Sequence, residues 1–261
     1  MVPPELVVLT RPEGRNESLA ARLATWGVDV AIMPAIAIEP VKQLSAAQTL
    51  AGQDADDWVF FVSATAVRQA ERLRPLVEWS AGHFVAVGRA TAVALAEAGR
   101  PADLVPEPGE EETEGLLARL PAERLSGRVA WIVRGCGGRA LLAQALSRMG
   151  AQVRFLELYR RVRPAMDLAA LAARARRALW VITSPEGLEN LTEAAASGAV
   201  RDWLLNSDLI VINERTVRKA RALGFSGRVL DSGGPDDETM AQAVRAILDA
   251  DRAVPQSEPL G

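Results

Sequence analysis

Few side chains in this sequence of 261 residues are equipped for catalysis. It contains one histidine, His83, one cysteine, Cys136, and one tyrosine, Tyr159. One histidine and one cysteine do not supply the ligands of a typical zinc site, so we expect no metal. A tyrosine hydroxyl is protonated at neutral pH, so Tyr159 can donate a proton but is not a ready base. The composition therefore predicts chemistry that depends on positioning and hydrogen bonds.

Four hydroxyl side chains follow predicted strands at the points where helices should begin. They are Ser63, Thr91, Ser184 and Thr216. Residues of these types routinely cap the N-terminus of a helix. The carboxyl ends of parallel strands also face the ligand crevice of an open α/β sheet, where hydroxyls and backbone N–H groups bind anions well. The two roles are compatible, and we predict that these residues bind substrate.

Arginine is the second candidate for ligand binding. Lys42 and Lys219 are the only lysines among 30 basic residues. Genomic composition bias can produce such an excess of arginine over lysine. A need for guanidinium groups can produce it too, because their fork matches a carboxylate. Composition alone does not decide between the two. Arg11 and Arg134 each come directly after a predicted strand, where a charged residue is seldom part of the core. We predict that both bind carboxylates, with a plain surface role as the alternative.

One glycine-rich turn admits a different interpretation. Gly135, Gly137 and Ala140 fit the pattern G-x-G-x-x-A after a strand, and Glu157 follows about twenty residues later, as in dinucleotide-binding proteins. Two features count against it. Arg134 precedes the first glycine, where that fold usually has an apolar residue, and the related stretch TRPEGR (10–15) lacks the pattern. An NAD-binding oxidoreductase therefore remains an alternative.

The sequence around these residues alternates short β-branched apolar runs with amphipathic runs rich in alanine and leucine. This pattern is typical of α/β domains with parallel sheets. Predicted helices include residues 16–26, 91–98, 139–149 and 214–223. The predicted strands are residues 6–10, 28–33, 58–62, 84–87, 103–105, 129–133, 153–158, 179–183, 209–212 and 228–230.

The chain also contains an internal repeat. Two stretches, a and b, each occur twice and in the same order. The matched pairs include Arg11 with Arg134, Val30 with Val153, Trp58 with Trp180, Ser63 with Ser184, and Thr91 with Thr216. Each stretch a contains a strand, a helix and a strand, and each stretch b contains three strands. Two matches in the same order indicate a duplicated chain.

Each stretch a ends in an extended segment with a closing proline, PAIAIEPV at 34–41 and LELYRRVRP at 156–164. Neither has the composition of a flexible linker, so we predict two paired strands that carry the chain between domains. Domain 1 then comprises residues 1–36 and 165–251, domain 2 comprises residues 41–158, and the crossover strands are residues 37–40 and 159–164. The tail at 252–261 has no apolar periodicity and is predicted to be disordered.

Bulk properties limit the location and the partners. The net charge of −3 argues against binding of nucleic acid, whose partners carry a basic excess. No run approaches the roughly 18 apolar residues of a membrane helix, and no secretory signal is visible at the N-terminus. Cys136 cannot form an internal disulfide, which agrees with a reducing compartment. We expect a cytoplasmic protein that binds neither nucleic acid nor a membrane.

Taken together, these features resemble the uroporphyrinogen-III synthase family. The resemblance covers residues 6 to 248 and depends on the order and spacing of short motifs that are weak individually. They are TRPEG (10–14), FVSATAV (61–67), VGRATAVALAEAG (87–99), RGCGGR (134–139), LYRRVRP (158–164), TSPEGLENL (183–191) and NERT (213–216). The resemblance implies two flavodoxin-like α/β domains with parallel sheets, the first discontinuous, joined by a two-stranded β-ladder.

The resemblance also implies a reaction. Members of the family close hydroxymethylbilane, a flexible linear tetrapyrrole with many carboxylates, to uroporphyrinogen III in the cleft between the domains, with loss of water and inversion of ring D. Positioning can contribute roughly 7–11 kcal/mol to such a reaction, and no cofactor is required. By resemblance, Tyr159 donates a hydrogen bond to the departing hydroxyl, Ser63 and Thr91 contact substrate or product, and Gly137 belongs to a substrate-binding turn.

The expected partner is the tetrapyrrole substrate, with a transient hand-over from hydroxymethylbilane synthase to a monomeric enzyme. An alternative for Tyr159 is an aromatic residue at an interface with its hydroxyl in water. An alternative for the whole chain is a two-domain ligand-binding protein of the periplasmic type, which also crosses twice between α/β domains. The lack of a visible signal peptide and of an N-terminal helix-turn-helix weakens that alternative.

Overall fold

The chain forms two compact units. The computed structural model describes residues 4–41, 54–107, 113–138, 140–195 and 198–252. The first unit consists of the described residues of Met1–Ala37 and Val162–Gly261, and the second consists of those of Ile38–Arg161. The first unit is therefore discontinuous in sequence. Apart from Arg252, the predicted disordered tail at 252–261 lies outside the described residues.

Strands and helices alternate along most of the chain. The described strands are β1 (Leu6–Leu9), β2 (Val30–Ile32), β3 (Ala37–Pro40), β4 (Trp58–Phe61), β5 (His83–Ala86), β6 (Val129–Gly135), β7 (Gln152–Val162), β8 (Ala178–Ile182), β9 (Asp208–Val211) and β10 (Val229–Asp231). The described helices are α1 (Glu17–Ala24), α2 (Ala64–Leu73), α3 (Arg89–Glu97), α4 (Thr113–Arg119), α5 (Ala122–Leu125), α6 (Leu141–Arg148), α7 (Leu168–Arg174), α8 (Pro185–Ala194), α9 (Ala199–Leu205), α10 (Glu214–Ala222) and α11 (Asp237–Arg252), with a 3₁₀ turn at Leu76–Glu78. Among the described residues, no helix is both long and apolar enough to cross a membrane.

Each unit has one five-stranded sheet. The first sheet has the order β2-β1-β8-β9-β10, and all four of its pairings are parallel. Numbered within the unit, this is the order 2-1-3-4-5 of a flavodoxin-like doubly wound fold. The second sheet has the order β3-β7-β6-β4-β5, with parallel pairing from β7 through β5. The prediction of an α/β fold with parallel sheets is confirmed.

The strand predicted at 103–105 is wrong in extent. Only Leu104 forms a bridge there, parallel to Val85 at the edge of the second sheet. The side chain of Asp103 accepts a hydrogen bond from the backbone N–H of Phe84 at 2.7 Å. Pro106 follows shortly after and has no N–H to continue the ladder. With this bridge included, β7-β6-β4-β5-Leu104 reproduces the order of the first sheet, as the repeat requires.

One aligned pair of the repeat is off by one residue. In the sheets, Trp180 is opposite Val8, whereas Val59 is opposite Trp131, which is the repeat partner of Val8. Trp180 therefore corresponds to Val59 and not to Trp58. Neighbouring residues of a strand point to opposite faces, so a slip of one residue exchanges the two faces. Trp58 accordingly packs in the core cluster on the opposite face from Val59.

The two predicted crossover strands pair with each other. Strand β3 is the edge strand of the second sheet beside β7, and the backbone N–H of Val41 donates to the carbonyl oxygen of Leu158 at 2.9 Å. A salt bridge joins Arg160 to Glu39 at 2.9 Å. Strand β7 continues without interruption from the strand predicted at 153–158 into the second crossover segment. This long strand carries Tyr159.

Both faces of each sheet are covered by helices, as expected for parallel sheets. In the first sheet, Val8 and Trp180 pack on the face that contacts α7 to α10, and Val7 and Leu9 pack on the face that contacts α1 and α11. In the second sheet, α2 and α3 cover one face, and α4 and α6 cover the other. Full burial of each such aliphatic side chain contributes roughly 1.5–3 kcal/mol. These cores fix the strand ends that position the site.

Candidate active site

A pocket of about 460 Å³ lies in the second unit, near the carboxyl ends of β4, β5 and β6. Its wall includes Ser63 after β4, the turn from Gly135 to Gly138 after β6, and the start of α6. Tyr159 and Arg161 line it from β7, where residues two apart share a face of the strand. The volume is within the usual range of small-molecule sites. Four of the predicted site residues, Ser63, Arg134, Gly137 and Tyr159, line this pocket.

Tyr159 is held firmly although it lines the pocket. Its side chain is only 2% exposed and belongs to the core cluster under α2 and α3. A register shift between Arg134 and Gly135 places Gly135 opposite Tyr159, and the N–H of Cys136 donates to the carbonyl oxygen of Tyr159 at 2.7 Å. A β-bulge of this kind re-aims a side chain locally. The phenol is therefore fixed by both its backbone and its ring.

Ser63 connects the helix α2 to the phenol. As the N-cap residue of α2, its Oγ accepts a hydrogen bond from the N–H of Ala66 at 3.1 Å. The same oxygen lies 3.1 Å from the hydroxyl oxygen of Tyr159. Ser63 therefore caps α2 and also contacts the phenol that lines the pocket.

Arg134 supplies positive charge to the pocket wall. Its Nε donates to Oε1 of Glu157 at 3.1 Å, and its guanidinium carbon lies 4.7 Å from the centre of the Phe155 ring. Its side chain is 12% exposed. Gly138 leaves room for it, since a Cβ there would lie 3.3 Å from the guanidinium carbon. The guanidinium is thereby held in one place beside the glycine turn.

The glycine turn does not have the geometry of a dinucleotide site. Gly135 is still within β6 and contacts the Tyr159 ring, and α6 begins at Leu141, one residue after Ala140. In the dinucleotide fingerprint the first glycine makes the turn and the third packs the helix on the strand. Gly137 has φ of +77°, in the left-handed region that favours glycine. Gly137 therefore makes the turn, and Glu157 binds Arg134.

The remaining predicted site residues lie elsewhere. Arg11 forms an ion pair with Asp237 and donates to the carbonyl oxygen of Pro235 at 2.6 Å, so its fork is bonded inside the first unit. Ser184 is the N-cap of α8, and its Oγ accepts from the N–H of Gly187 at 3.0 Å.

Neither threonine is the N-cap residue of its helix, so the alternative role of capping does not hold for them, and substrate binding stays a prediction. Thr91 is 4% exposed and lies in the first turn of α3, whose N-cap is Gly88. Thr216 is fully buried, and its hydroxyl donates to Oδ1 of Asn213, the true N-cap of α10, at 2.9 Å. Thr91 does not line the pocket, although it lies in the same unit.

Residues beyond the predicted set also belong to the site: Gly135, Cys136, Gly138 and Arg161 line the pocket, and Glu157 binds Arg134. In the sequence, Gly135 and Glu157 appear only as members of the apparent dinucleotide pattern. Gly135 is identified only by its contact with the Tyr159 ring. That contact depends on the bulge, and no sequence pattern predicts it. Among the described residues, no group of three or more His, Cys, Asp or Glu side chains is arranged to hold a metal ion.

The fold and the pocket define a doubly wound α/β protein of two units, with a pocket in one unit that is lined by the hydroxyls of Ser63 and Tyr159. A family model described as uroporphyrinogen-III synthase HemD matches residues 17–240. The uroporphyrinogen-III synthase of Escherichia coli K12 is 33% identical over 248 residues, which are 92% of this chain and 99% of that protein. The Salmonella typhimurium LT2 protein of the same name is 32% identical over 247 residues, with 92% and 99% coverage. The chain belongs to the uroporphyrinogen-III synthase family.

Solved structures agree on the fold. A mutant uroporphyrinogen III synthase from the extremely thermophilic bacterium Thermus thermophilus gives a TM-score of 0.59 at 22% identity, covering 94% of this chain and 99% of that one. The uroporphyrinogen-III synthetase of Helicobacter pylori 26695 gives 0.58 at 12% identity, covering 95% and 100%. At these identities the likeness concerns the architecture alone.

Proposed function

We propose that this chain converts hydroxymethylbilane to uroporphyrinogen III, with loss of water and inversion of ring D. Family membership supports the reaction, and one observation on the chain itself carries the proposal. The only tyrosine of the sequence lines a pocket at the strand ends, with its ring fixed and its hydroxyl 3.1 Å from Ser63. A protonated phenol held in this way suits the donation of a proton to a departing hydroxyl.

In the proposed role, Tyr159 loses one proton and regains one proton in each turnover. The phenol gives its proton to the hydroxyl of the hydroxymethyl group as the C–O bond breaks, and the oxygen leaves as water. The electron pair for this step comes from the pyrrole nitrogen, and a cationic azafulvene remains. The substituted α-carbon of ring D adds to the azafulvene to give a spiro intermediate, and the bond from that carbon to the methylene on ring C then breaks. The methylene rejoins ring D at its free α-carbon, which loses a proton and thereby restores the phenol. No electrons enter or leave, so the net product of the cyclisation besides the macrocycle is one water.

The other pocket residues contribute binding and orientation. Arg134 is placed to attract a carboxylate of the substrate, since an arginine fork matches that group. In the adjacent turn, Gly137 has no side chain, so the substrate can approach its backbone. We propose that Thr91, Ser184 and Thr216 support the backbone at the starts of their own helices, since their hydroxyls are buried or serve a helix terminus. We assign Arg11 to the attachment of α11 and not to the substrate, because its fork is bonded to Asp237 and Pro235.

The experiment that tests the function is a separation of isomers. Purified protein is supplied with hydroxymethylbilane, and the porphyrins are separated after oxidation. We expect type III to exceed type I, the product of spontaneous closure, by a ratio that rises with protein concentration. Heat-denatured protein is the control and should give type I. A ratio equal to that of the control would contradict the proposal.

The working form of the enzyme is also a proposal. We propose a monomer in the cytoplasm that receives hydroxymethylbilane in a transient encounter with the synthase that makes it. The reason is the reactivity of the substrate, which closes to the wrong isomer if it waits in water. Specific activity that is independent of protein concentration, together with a single monomeric species in sedimentation, is the expected result. A specific activity that rises with protein concentration would instead indicate an oligomer.

A further inference from the structure

We propose that Ser63 is a positioning residue that directs the proton of Tyr159 into the pocket. The inference rests on the proposed function in one respect, the use of Tyr159 as a proton donor. It adds a direction for the hydrogen bond between Ser63 and Tyr159. In this arrangement Ser63 donates to the phenol oxygen, and the phenol keeps its own hydrogen for the substrate.

The two possible directions of this hydrogen bond have opposite consequences. The oxygens of Ser63 and Tyr159 are 3.1 Å apart, and either can donate. If Tyr159 donates to Ser63, its only proton points away from the departing hydroxyl. If Ser63 donates, the phenol oxygen accepts one hydrogen bond and its proton remains available. Only the second direction permits the chemistry.

The surroundings of Ser63 favour donation by Ser63. Its Oγ already accepts from the N–H of Ala66 at the N-terminus of α2. A hydroxyl that accepts a hydrogen bond is a better donor, because successive bonds polarise one another. Within the described residues, the other polar atom at hydrogen-bond distance from this Oγ is the phenol oxygen of Tyr159, which can accept. The chain of bonds therefore runs from Ala66 through Ser63 to Tyr159.

The same bond also stabilises what remains after proton transfer. Loss of the proton leaves negative charge on the phenol oxygen, and a hydrogen bond to a charged acceptor is roughly twice as strong as a neutral one. The phenol cannot swing away from Ser63, since its ring is 2% exposed and rests against Gly135. The donor is thus in place before charge develops, and it acts most strongly at the transition state.

Ser184, the equivalent of Ser63 in the other unit, shows that a serine can cap its helix without contacting a phenol. Ser184 caps α8 through the N–H of Gly187 at 3.0 Å, as Ser63 caps α2. The chain has a single tyrosine, so Ser184 has no phenol to orient. The cap is common to both units, and the contact with a phenol belongs to Ser63 alone.

Three substitutions of Ser63 distinguish positioning from capping. Ser63→Ala removes both the cap and the donor. Ser63→Thr keeps both. Ser63→Asp keeps a capping acceptor but has no proton to donate at neutral pH. Asp167→Ala is the matched control for loss of a cap, because Asp167 caps α7 through the N–H of Ala170 at 3.0 Å and does not line the pocket.

We expect Ser63→Ala to lower kcat about tenfold and to change KM less than about twofold, as for one hydrogen bond to a developing charge. Ser63→Asp should lower kcat at least as much while its melting temperature stays close to that of the wild type. Ser63→Thr should recover activity to within about threefold. Asp167→Ala should lose stability and keep kcat. In a Tyr159→Phe background, Ser63→Ala should change kcat less than about twofold, because the two residues act as one unit.

A second measurement does not depend on turnover. With one tyrosine in the chain, the tyrosine doublet in the Raman spectrum reports Tyr159 alone and distinguishes a phenol oxygen that accepts a hydrogen bond from one that donates. The wild type should show an accepting phenol, and Ser63→Ala should lose that signature. A donating phenol in the wild type, or additive losses in the double variant, would overturn the inference even if the isomer assay succeeds. Failure of the isomer assay with an accepting phenol would overturn the proposed function and leave the direction of the bond established.

Discussion

Gly135 lies directly against the ring of Tyr159: a Cβ built on Gly135 would be 2.7 Å from Cε2 and 2.8 Å from Cζ of the phenol. The contact arises from the register shift between β6 and β7, where Leu158 is the extra residue, so that Gly135 and Tyr159 are opposite each other. Because Tyr159 is packed in the core on its other side, the ring cannot retreat. Absence of a side chain at Gly135 therefore sets the position of the phenol in the pocket.

Gly135→Ala should accordingly displace the phenol. We expect a loss of about 1–3 kcal/mol in the free energy of unfolding, as for an overpacked core, and a lower kcat because the hydroxyl moves from Ser63. Urea unfolding and steady-state kinetics provide the measurement. Gly88→Ala is the control for stability, since a Cβ at Gly88 would have no atom within 4 Å and its φ of −161° suits any residue. Equal losses for the two variants would show that the contact with Tyr159 is not tight.

Tyr159→Phe keeps the ring and removes only the hydroxyl. General acid assistance is worth about 10²–10⁴-fold, and formation of an azafulvene is intrinsically easy, so we expect kcat to fall by about 10²-fold. The loss of the hydrogen bond to Ser63 should cost about 1 kcal/mol of stability. Kinetics and thermal melting of the variant decide the matter. Full activity would make Tyr159 a packing residue.

The sequence was a good guide to the strands and a poor guide to the contacts between them. Alternation of apolar runs located the strands of both sheets, because burial on two faces leaves a clear pattern. It overextended the segment around Leu104, where Pro106 ends the ladder after one bridge. It also aligned Trp58 with Trp180 because both are tryptophan, whereas the burial face decides register.

The candidate site was predictable in part for a similar reason. Ser63 and Tyr159 each follow from position, the former after a strand and the latter on a crossover segment. Their contact depends on the register shift between β6 and β7 at Leu158, to which no sequence pattern corresponds. Arg11 and Arg134 occupy equivalent places in the repeat, yet Arg11 pairs with Asp237 and Arg134 with Glu157. Glu157 is aligned in the repeat with Pro34, which has no carboxylate, and Asp237 comes from α11, which the repeat does not align.

The two equivalent arginines should respond differently to the same substitution. Arg134→Gln should raise KM severalfold with little change in kcat. It weakens one of several carboxylate contacts, and it does so equally in the bound substrate and in the transition state. Arg11→Gln should leave KM unchanged and lower the melting temperature, since it leaves the half-buried Asp237 without its ion pair. Substrate titration and thermal melting of both variants test this division. A higher KM for Arg11→Gln alone would reverse the assignment.

The pair of Arg11 and Asp237 also predicts a dependence of stability on pH. Burial by itself would raise the pKa of Asp237, but hydrogen bonds from Arg11 and Ser18 and the charge of Arg11 outweigh it and lower the pKa. A carboxylate with a lowered pKa contributes stability above its unfolded pKa of about 3.9, and that stability is lost as the pH falls through the folded pKa. The difference in unfolding free energy between wild type and Arg11→Gln should therefore be constant near neutrality and shrink below about pH 4. Urea unfolding across this range measures it. Asp237→Asn is the control: it removes the titrating carboxyl, so the difference between Asp237→Asn and the double variant Arg11→Gln/Asp237→Asn should not vary with pH in this range.

The last helix is attached to its sheet by an ionic network. Arg228, before β10, donates to Asp208 at 2.6 Å and to both oxygens of Asp251 in α11 at 2.9 and 2.6 Å, and Arg177 donates to Asp208 at 2.8 Å. The side chains of Asp208 and Asp251 are 1% and 2% exposed. The hydrogen bond that Arg228 donates to Asp208 raises the pKa of Arg228 most; burial opposes this, and the hydrogen bond to Asp251 adds to it.

Removal of one member should cost more than the network contributes as a whole, because buried carboxylates then remain without their partner. We expect Arg228→Met to lose about 3 kcal/mol, near the lower limit for a broken buried pair, since the arginine side chain is itself 30% exposed. Arg228→Lys should recover only part of this loss, because an ammonium cannot bind two carboxylates with a planar fork. No described residue of the network lines the pocket, so kcat per folded molecule should not change. Urea unfolding of the Met, Lys and Asp251→Asn variants, with kcat measured where the protein is fully folded, tests the prediction. A loss below about 1 kcal/mol for Arg228→Met would place the network among ordinary surface ion pairs.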